Sequence, residues 1–310
     1  MTAVIATLTM NPALDVATEA ERVIPTRKLR CETPRYDPGG GGINVSRVIG
    51  TLGGTATAVY PAGGPTGDLL TSLLASHGIP RHPVTIEGLT RESFTVNEQT
   101  SGDQFRFVLP GPALSETEQQ RCLQAIAALT PRPDYLVASG SLPPGVPADF
   151  YTELARLARQ DGMRLVLDTS GEALRQAQGA YLLKPNRNEL AQLAGRPLSG
   201  EAELRDAARR LLGEGRAEVV VVSLGRDGAL LATAGDCRHF PALDVPIRSA
   251  VGAGDTMVAA IVFALADGRE LTDAVQLGIA ASAATLLSPG TGLCRREDVE
   301  RLYRDLVATG

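Results

Sequence analysis

The 310-residue chain has no tryptophan, six tyrosines, six phenylalanines, three histidines and four cysteines. Cys31, Cys122, Cys237 and Cys294 are far apart, with no Cys-x-x-Cys and no pair of histidines nearby. That spacing argues against both a disulfide framework and a metal cage of soft ligands; it fits reduced thiols and predicts a cytoplasmic location. No apolar stretch approaches the roughly 20 residues needed to cross a bilayer. The start, Met1-Thr2-Ala3-Val4, has no basic segment, so neither export nor anchoring is expected. Long lysine and arginine runs are missing and the formal net charge is −5. Nucleic acid and anionic membrane surfaces are thereby set aside as partners, and an anionic small molecule would need a local basic pocket.

Hydrophobic residues make up 44% of the chain and charged residues 21%, enough to fill the core of one large α/β domain or two smaller ones. Short β-branched runs predict buried strands at Val4–Leu8, Thr57–Tyr60, Tyr135–Ala138, Leu165–Leu167, Tyr181–Leu183 and Val219–Val222. Amphipathic stretches between them predict helices at Ile43–Leu52, Thr66–His77, Glu116–Leu129, Ala148–Gln160 and Glu201–Leu212, and Gly254–Ala308 reads as mainly helical. Such alternation implies a mostly parallel sheet covered by helices. Two segments break it. In Val16–Cys31 and Phe94–Leu109 polar and apolar residues alternate, the second around the turn Ser101-Gly102-Asp103, which is a hairpin pattern. An antiparallel lid over the sheet and an edge extension of that sheet both satisfy it.

Three glycine- or asparagine-bearing motifs carry the chemistry. In Val251-Gly252-Ala253-Gly254-Asp255-Thr256, Gly252, Ala253 and Gly254 bring main-chain N–H groups to the start of an apolar helix, where orphan amides and the dipole attract an anion. Asp255 is then either a base beside that anion or the helix N-cap. In Pro38-Gly39-Gly40-Gly41-Gly42-Ile43-Asn44 a bare backbone can approach a ligand and Asn44 can bond a hydroxyl, although a tight turn explains the glycines equally well. No Gly-Lys-Ser/Thr follows, so this is not a P-loop. In Lys184-Pro185-Asn186-Arg187-Asn188-Glu189, Asn186 and Glu189 form either a reciprocal helix cap or a magnesium site, in which Glu189 holds the metal on nucleotide phosphates directly or through water. Ser223-Leu224-Gly225-Arg226-Asp227-Gly228 is either a hairpin turn or part of a nucleotide pocket. Asp15, after the first strand, is placed to take hydrogen bonds from sugar hydroxyls or to end the strand. Lys28, Arg30, Arg91 and Arg106 are the cations in or beside the two irregular segments.

In order, these motifs resemble the PfkB family of sugar kinases. Gly39–Asn44 is similar to its N-terminal signature, Gly252-Ala253-Gly254-Asp255 to its C-terminal signature and Asn186–Glu189 to its N-x-x-E element. The match runs from Leu8-Thr9-Met10-Asn11-Pro12 through Ser139-Gly140-Ser141-Leu142-Pro143-Pro144-Gly145 to Gly290-Thr291, essentially the whole chain. The resemblance implies a ribokinase-like three-layer α/β/α sandwich with a mostly parallel central sheet. It implies one kinase domain over residues 1–310, with β-lid segments at about 16–36 and 90–109, and a homodimer formed through that lid.

Lys28-Leu29-Arg30-Cys31 and the uninterrupted Gly39–Gly42 resemble the hexose-phosphate branch of the family. Family members acting on tagatose 6-phosphate or fructose 1-phosphate usually carry lysine where this chain has Gly41. The resemblance therefore implies ATP-dependent phosphorylation of fructose 6-phosphate at C1, the 6-phosphofructokinase step of glycolysis. Tagatose-6-phosphate kinase and 1-phosphofructokinase activity are the alternatives within the family. It assigns Asp15, Gly39, Gly40, Asn44, Arg91 and Ser139 to the sugar phosphate, with Lys28 reaching it from the partner subunit's lid. Lys184, Asn186, Ser223, Gly225 and Gly228 are assigned to ATP, Glu189 to magnesium, and Ser249, Val251, Ser288 and Gly290 to a potassium ion beside the anion site. Ala250 replaces the family's usual threonine, and Gly292 stands where the closest relatives often have arginine. A non-catalytic sugar-phosphate sensor on the same fold is the reading of a different class. Retention of base, magnesium element and anion site together counts against it.

Overall fold

The computed structural model describes residues 3–288, 290 and 292–309. Thr291, which closes the resemblance, lies outside them. In chain order the first half runs β1 (Ile5–Leu8), β2 (Ala13–Ala20), β3 (Arg35–Gly39), α1 (Gly41–Thr51), β4 (Ala56–Ala62), α2 (Gly64–Ser76), β5 (Arg81–Thr85), β6 (Arg91–Glu98), β7 (Gln104–Val108) and α3 (Glu116–Ala127). The second half is β8 (Tyr135–Ser139), α4 (Phe150–Gln160), β9 (Arg164–Asp168), α5 (Gly171–Gln176), β10 (Ala180–Leu183), α6 (Arg187–Ala194), α7 (Glu201–Gly213), β11 (Ala217–Ser223), β12 (Ala229–Ala232), β13 (Cys237–Phe240), α8 (Ala253–Ala266), α9 (Leu271–Leu286) and α10 (Arg296–Thr309).

The main sheet has nine strands in the order β13-β12-β11-β10-β9-β8-β1-β4-β5. From β11 to β5 every neighbour is parallel, and β12 and β13 add an antiparallel edge. Because side chains alternate across a pleat, each strand feeds two cores. Ala6, Leu8, Leu136 and Ala138 join one core with residues of α3, α4, α6 and α7, such as Cys122, Leu154, Leu190 and Leu211. Ile5, Tyr135 and Val137 join the other with Val48 of α1, Val258 of α8, Val275 of α9 and Leu302 of α10. The result is the three-layer sandwich that alternating strands and helices imply. Helix α8 is apolar nearly all round because it is buried between the sheet, α1 and α9. No helix among the described residues is long and apolar enough to cross a membrane.

A second sheet of four strands, β3-β2-β6-β7, stands apart from the first. Here the hairpin reading is half right. Strands β6 and β7 pair antiparallel around Ser101-Gly102-Asp103, whereas within Val16–Cys31 the only antiparallel pairing among the described residues is the isolated bridge between Ala20 and Cys31. Strand β2 instead pairs antiparallel with β3, across an irregular connection over residues 21–34. It also pairs parallel with β6, which no local pattern could announce. This sheet begins at Ala13 and its β3 ends at Gly39, so Asp15 and Gly39 belong to it. Strands β5, β12 and β13 escaped the sequence reading for a simple reason: they are short, and the edge strand β5 is mostly exposed and contains Pro83.

Candidate active site

The carboxyl ends of β1, β8, β9 and β10 open toward the N-termini of α1 and α8, and the site is built there. Gly252 is the N-cap of α8, in the left-handed conformation with φ 75° and ψ 0°, and no side chain caps the helix. Ala253, Gly254 and Asp255 form its first turn, where N–H groups have no intrahelical acceptor. Asp255 is therefore not the cap. Its Oδ2 accepts a hydrogen bond from Asn44 Nδ2 at 3.0 Å and its Oδ1 one from Ser139 Oγ at 3.1 Å. Protein surrounds the carboxyl group on most sides while some surface stays open. Burial, reinforced by the neighbouring Asp168 charge, pushes its pKa up to about 6 against the pull of Asn44, Ser139 and Lys184. At neutral pH this carboxylate is ionised and more basic than an ordinary aspartate.

On one side lies the glycine run. A Cβ on Gly39 would sit 2.2 Å from Asp15 Oδ2, one on Gly41 2.2 Å from Ser139 Oγ, and one on Gly42 2.7 Å from Leu8 O. Gly40 adopts φ 112°, with Thr9 Cγ2 2.7 Å from where its Cβ would be. The glycines are thus close-approach positions, and α1 starts directly behind them with Asn44 in its first turn. Asp15 is raised to about 6, by burial first, with Arg91 and Arg106 pulling the other way. Arg91 donates to the carbonyls of Asn11 at 3.1 Å and Leu109 at 3.1 Å, so it braces the mouth between the two sheets. The structure brings together Asp15, Gly39, Gly40, Asn44, Arg91 and Ser139. Lys28 is exposed in the 21–34 connection.

On the other side an open cleft of about 730 Å³ runs from Ala253 and Gly254 past Asn186, Ser223, Gly225 and Gly228. The turn Gly225–Asp227 joins the antiparallel strands β11 and β12, as the hairpin reading has it, and Gly225, Arg226 and Gly228 also line the cleft. Val245, Ile247, Ile279 and Leu286 supply an apolar wall. Lys184 is not on the wall: it is 4% exposed and paired with Asp168 at 3.2 Å. Its Nζ would lie 3.6 Å from a Cβ on Gly254, which keeps it under the first turn of α8.

The Asn186–Glu189 pair is a reciprocal cap of α6. Asn186 Oδ1 accepts from Glu189 N at 2.9 Å, and Glu189 Oε2 accepts from Asn186 N at 2.7 Å. That leaves Glu189 Oε1 for other work. Burial and the Asp168 charge both raise its pKa, marking two carboxylates that share one field. Asp168 is the residue the sequence reading missed. The only signal for it was an acidic residue at the carboxyl end of a predicted parallel strand. Among the described residues no three metal-binding side chains cluster. Glu189 and Asp168 are hard oxygen donors of the kind a magnesium ion takes, one or two at a time, alongside water and phosphate oxygens.

The proposed potassium ligands meet beside Gly252 in part. Ser249 Oγ donates to Gly290 O at 2.7 Å and accepts from Val251 N at 3.3 Å, whereas Ser288 Oγ donates to Leu293 O at 2.9 Å. Hydroxyl and carbonyl oxygens of this kind are suitable donors for a hard monovalent cation.

A basic carboxylate in the first turn of a helix, with an open cleft on one side and Asp15, the close-approach glycines and Arg91 on the other, defines a phosphotransferase site on a ribokinase-like fold. The model of the pfkB family carbohydrate kinases matches residues 4–298, and the chain belongs to that family. It is 52% identical over 300 residues to the ATP-dependent 6-phosphofructokinase isozyme 2 of Mycobacterium tuberculosis H37Rv, covering 96% of this chain and 88% of that protein. The isozyme 2 of Escherichia coli K12 is 43% identical over 300 residues, covering 96% and 97%. Crystal structures of Escherichia coli phosphofructokinase-2 superpose with TM-scores of 0.94 in complex with potassium and 0.92 in complex with fructose-6-phosphate. In both, identity is 42% and coverage 98% of this chain and 99% of that one.

Proposed function

We propose that this carbohydrate kinase transfers the γ-phosphoryl group of ATP to the C1 hydroxyl of fructose 6-phosphate, giving fructose 1,6-bisphosphate in glycolysis. The observation that carries the reading is Asp255, held by Asn44 and Ser139 at the junction between the cleft and the polar pocket. The names of these two relatives agree with it.

ATP lies in the cleft with its phosphates toward Gly254, contacted by Asn186, Ser223, Gly225 and Gly228. The sugar phosphate lies against Asp15, Gly39, Gly40, Asn44 and Ser139, with Arg91 facing its phosphate. Asp255 accepts the C1 proton as the oxygen attacks, and the amides of Ala253 and Gly254 receive the equatorial oxygens of the phosphoryl group in transit. Phosphoryl transfer is loose, so positioning and charge stabilisation dominate. A positioned base contributes on the order of 10²–10⁴-fold, and a preorganised anion site about 10²–10³-fold per donor. Magnesium, when bound to Glu189 and Asp168 directly or through water, offsets the charge of the nucleotide's phosphates. The oxygens of Ser249, Val251, Ser288 and Gly290 are the candidate potassium ligands.

The small sheet acts as the lid that excludes water. Exposed Tyr36, Phe107, Val108 and Leu109 on or beside its strands favour a homodimer formed through it, which would bring the partner's lid connection, including its Lys28-equivalent cation, toward this pocket. All four cysteines are free, in keeping with a reducing cytoplasm.

The test is ADP release measured with fructose 6-phosphate, fructose 1-phosphate, tagatose 6-phosphate and unphosphorylated sugars. Highest kcat/KM on fructose 6-phosphate is expected. Preference for another sugar phosphate overturns the substrate, and no ADP release on any of them leaves the sensor reading.

A further inference from the structure

Arg47 sits on α1 one turn after Asn44, with 16% of its side chain exposed. One guanidinium nitrogen donates to Pro38 O at 3.1 Å and to Asn44 Oδ1 at 3.4 Å, and the other lies 3.7 Å from Asp37 Oδ1. A carboxamide has its acceptor at one end and its donors at the other. With a cation at Oδ1, the Nδ2 of Asn44 is directed to Asp255; the flipped amide would place oxygen against oxygen there and nitrogen against a guanidinium. Asp37 and Pro38 lie on β3, and Asp37 stands opposite Asp15 in the β2–β3 register. An unbroken run of polar contacts therefore joins the sheet that bears Asp15 to the Asp255 carboxylate.

We propose that Arg47 is a positioning residue for phosphoryl transfer. It fixes the Asn44 amide so that Nδ2 donates to Asp255, and it ties that orientation to β3 of the small sheet. The inference rests on Asp255 being the base. A planar fork meets three acceptors that a single ammonium cannot reach together, so lysine is a poor substitute. The groups facing Asp255 are Asn44 from α1, Ser139 from β8, Asp168 from β9 and Lys184 just after β10. Asp168 and Lys184 are paired with each other, which leaves the Asn44 hydrogen bond as the contact that Arg47 controls.

The experiment is kcat against pH from 5 to 9, at saturating ATP and fructose 6-phosphate, for wild type, Arg47→Met, Arg47→Lys, Asn44→Ala and the double variant Arg47→Met/Asn44→Ala. Losing a hydrogen bond that favours the carboxylate should move the acidic limb of Arg47→Met upward by roughly half to one pH unit and lower kcat on the order of tenfold. Arg47→Lys should recover part of both. The double variant should be no worse than Asn44→Ala. An unmoved limb with additive losses makes Arg47 a brace between α1 and β3 and overturns the proposal. Should Arg47→Met not fold, Asp37→Asn weakens the same anchor, and a limb that stays in place there overturns it as well. Asp255→Asn keeps the two readings apart. If that variant turns over normally the base assignment fails; if it is inactive while the Arg47 variants match wild type, only the positioning role fails.

Discussion

Asn44 and Asp255, 211 positions apart, are joined by one hydrogen bond of 3.0 Å from amide to carboxylate. It couples the N-terminal glycine run to the C-terminal one, because each residue lies in the first turn of the helix that follows its run. The packing of α1 on α8 brings the two turns together. Ser139, from the end of β8, closes the other side of the carboxylate. The Asp255 carboxylate is thus held by two donors from different elements, while burial and then the Asp168 charge keep its pKa above that of an ordinary aspartate.

Asp255→Asn should retain binding of ATP and sugar phosphate and lose kcat by about 10²–10⁴-fold, the range of a positioned base. Steady-state kinetics with direct binding measurements check this. A variant within a fewfold of wild-type kcat would exclude Asp255 as the proton acceptor.

The same substitution should stabilise the fold at neutral pH. Asp255 has a folded pKa of about 6 against an ordinary 3.8, so folding favours its protonated form. The stability linked to that protonated form is fully present below about pH 4 and lost as pH rises through 6; above that, an ionised Asp255 is a cost of at most about 3 kcal/mol. Melting curves should therefore show Asp255→Asn above wild type at pH 7.5, with the gap narrowing toward pH 4. Wild-type kcat should fall with acid below pH 6, approaching tenfold per unit.

Gly41→Ala tests close approach rather than charge. The added Cβ would meet Ser139 Oγ at 2.2 Å and must displace the hydroxyl that donates to Asp255. Turnover should drop at least tenfold while the KM for ATP stays within a fewfold. Gly195→Ala is the control, since Gly195 ends α6 in open space. It should cost about 1 kcal/mol of stability through its positive φ and leave kcat unchanged.

Arg91→Ala should act mainly on the sugar phosphate. Its guanidinium faces Asp15 and braces Asn11 and Leu109, so the KM for fructose 6-phosphate should rise by tenfold or more, with the KM for ATP nearly constant. An effect confined to ATP would relocate the sugar pocket.

Glu189→Gln separates cap from metal ligand. Glutamine at that position still accepts from Asn186 N, so the melting temperature should hold, while the magnesium concentration for half-maximal activity rises severalfold. Asn186→Ala should instead lower stability by about 1 kcal/mol. A Glu189→Gln variant with unchanged magnesium dependence would leave that carboxylate as a cap alone.

Local sequence determined a good deal here, because its signals are short-range. Alternating apolar runs announced the layered α/β fold, and glycines packed before apolar helices announced two backbone approaches. The pairing of Asn186 with Glu189 announced a cap that the structure contains. Other features depend on partners far along the chain, and only the tertiary structure decided them. The parallel pairing of β2 with β6 converts two apparent hairpins into one sheet, and no period-2 pattern records which strand will be its neighbour. Asp168 is an ordinary strand-ending acid until β9 sets it beside Lys184 and under α8. Asp255 looked as much like an N-cap as a base; Gly252 took the cap, and Asn44 and Ser139 took the carboxylate. A side chain's chemistry is set by desolvation and by charges within a few ångströms, and in this protein those neighbours come from every third of the chain.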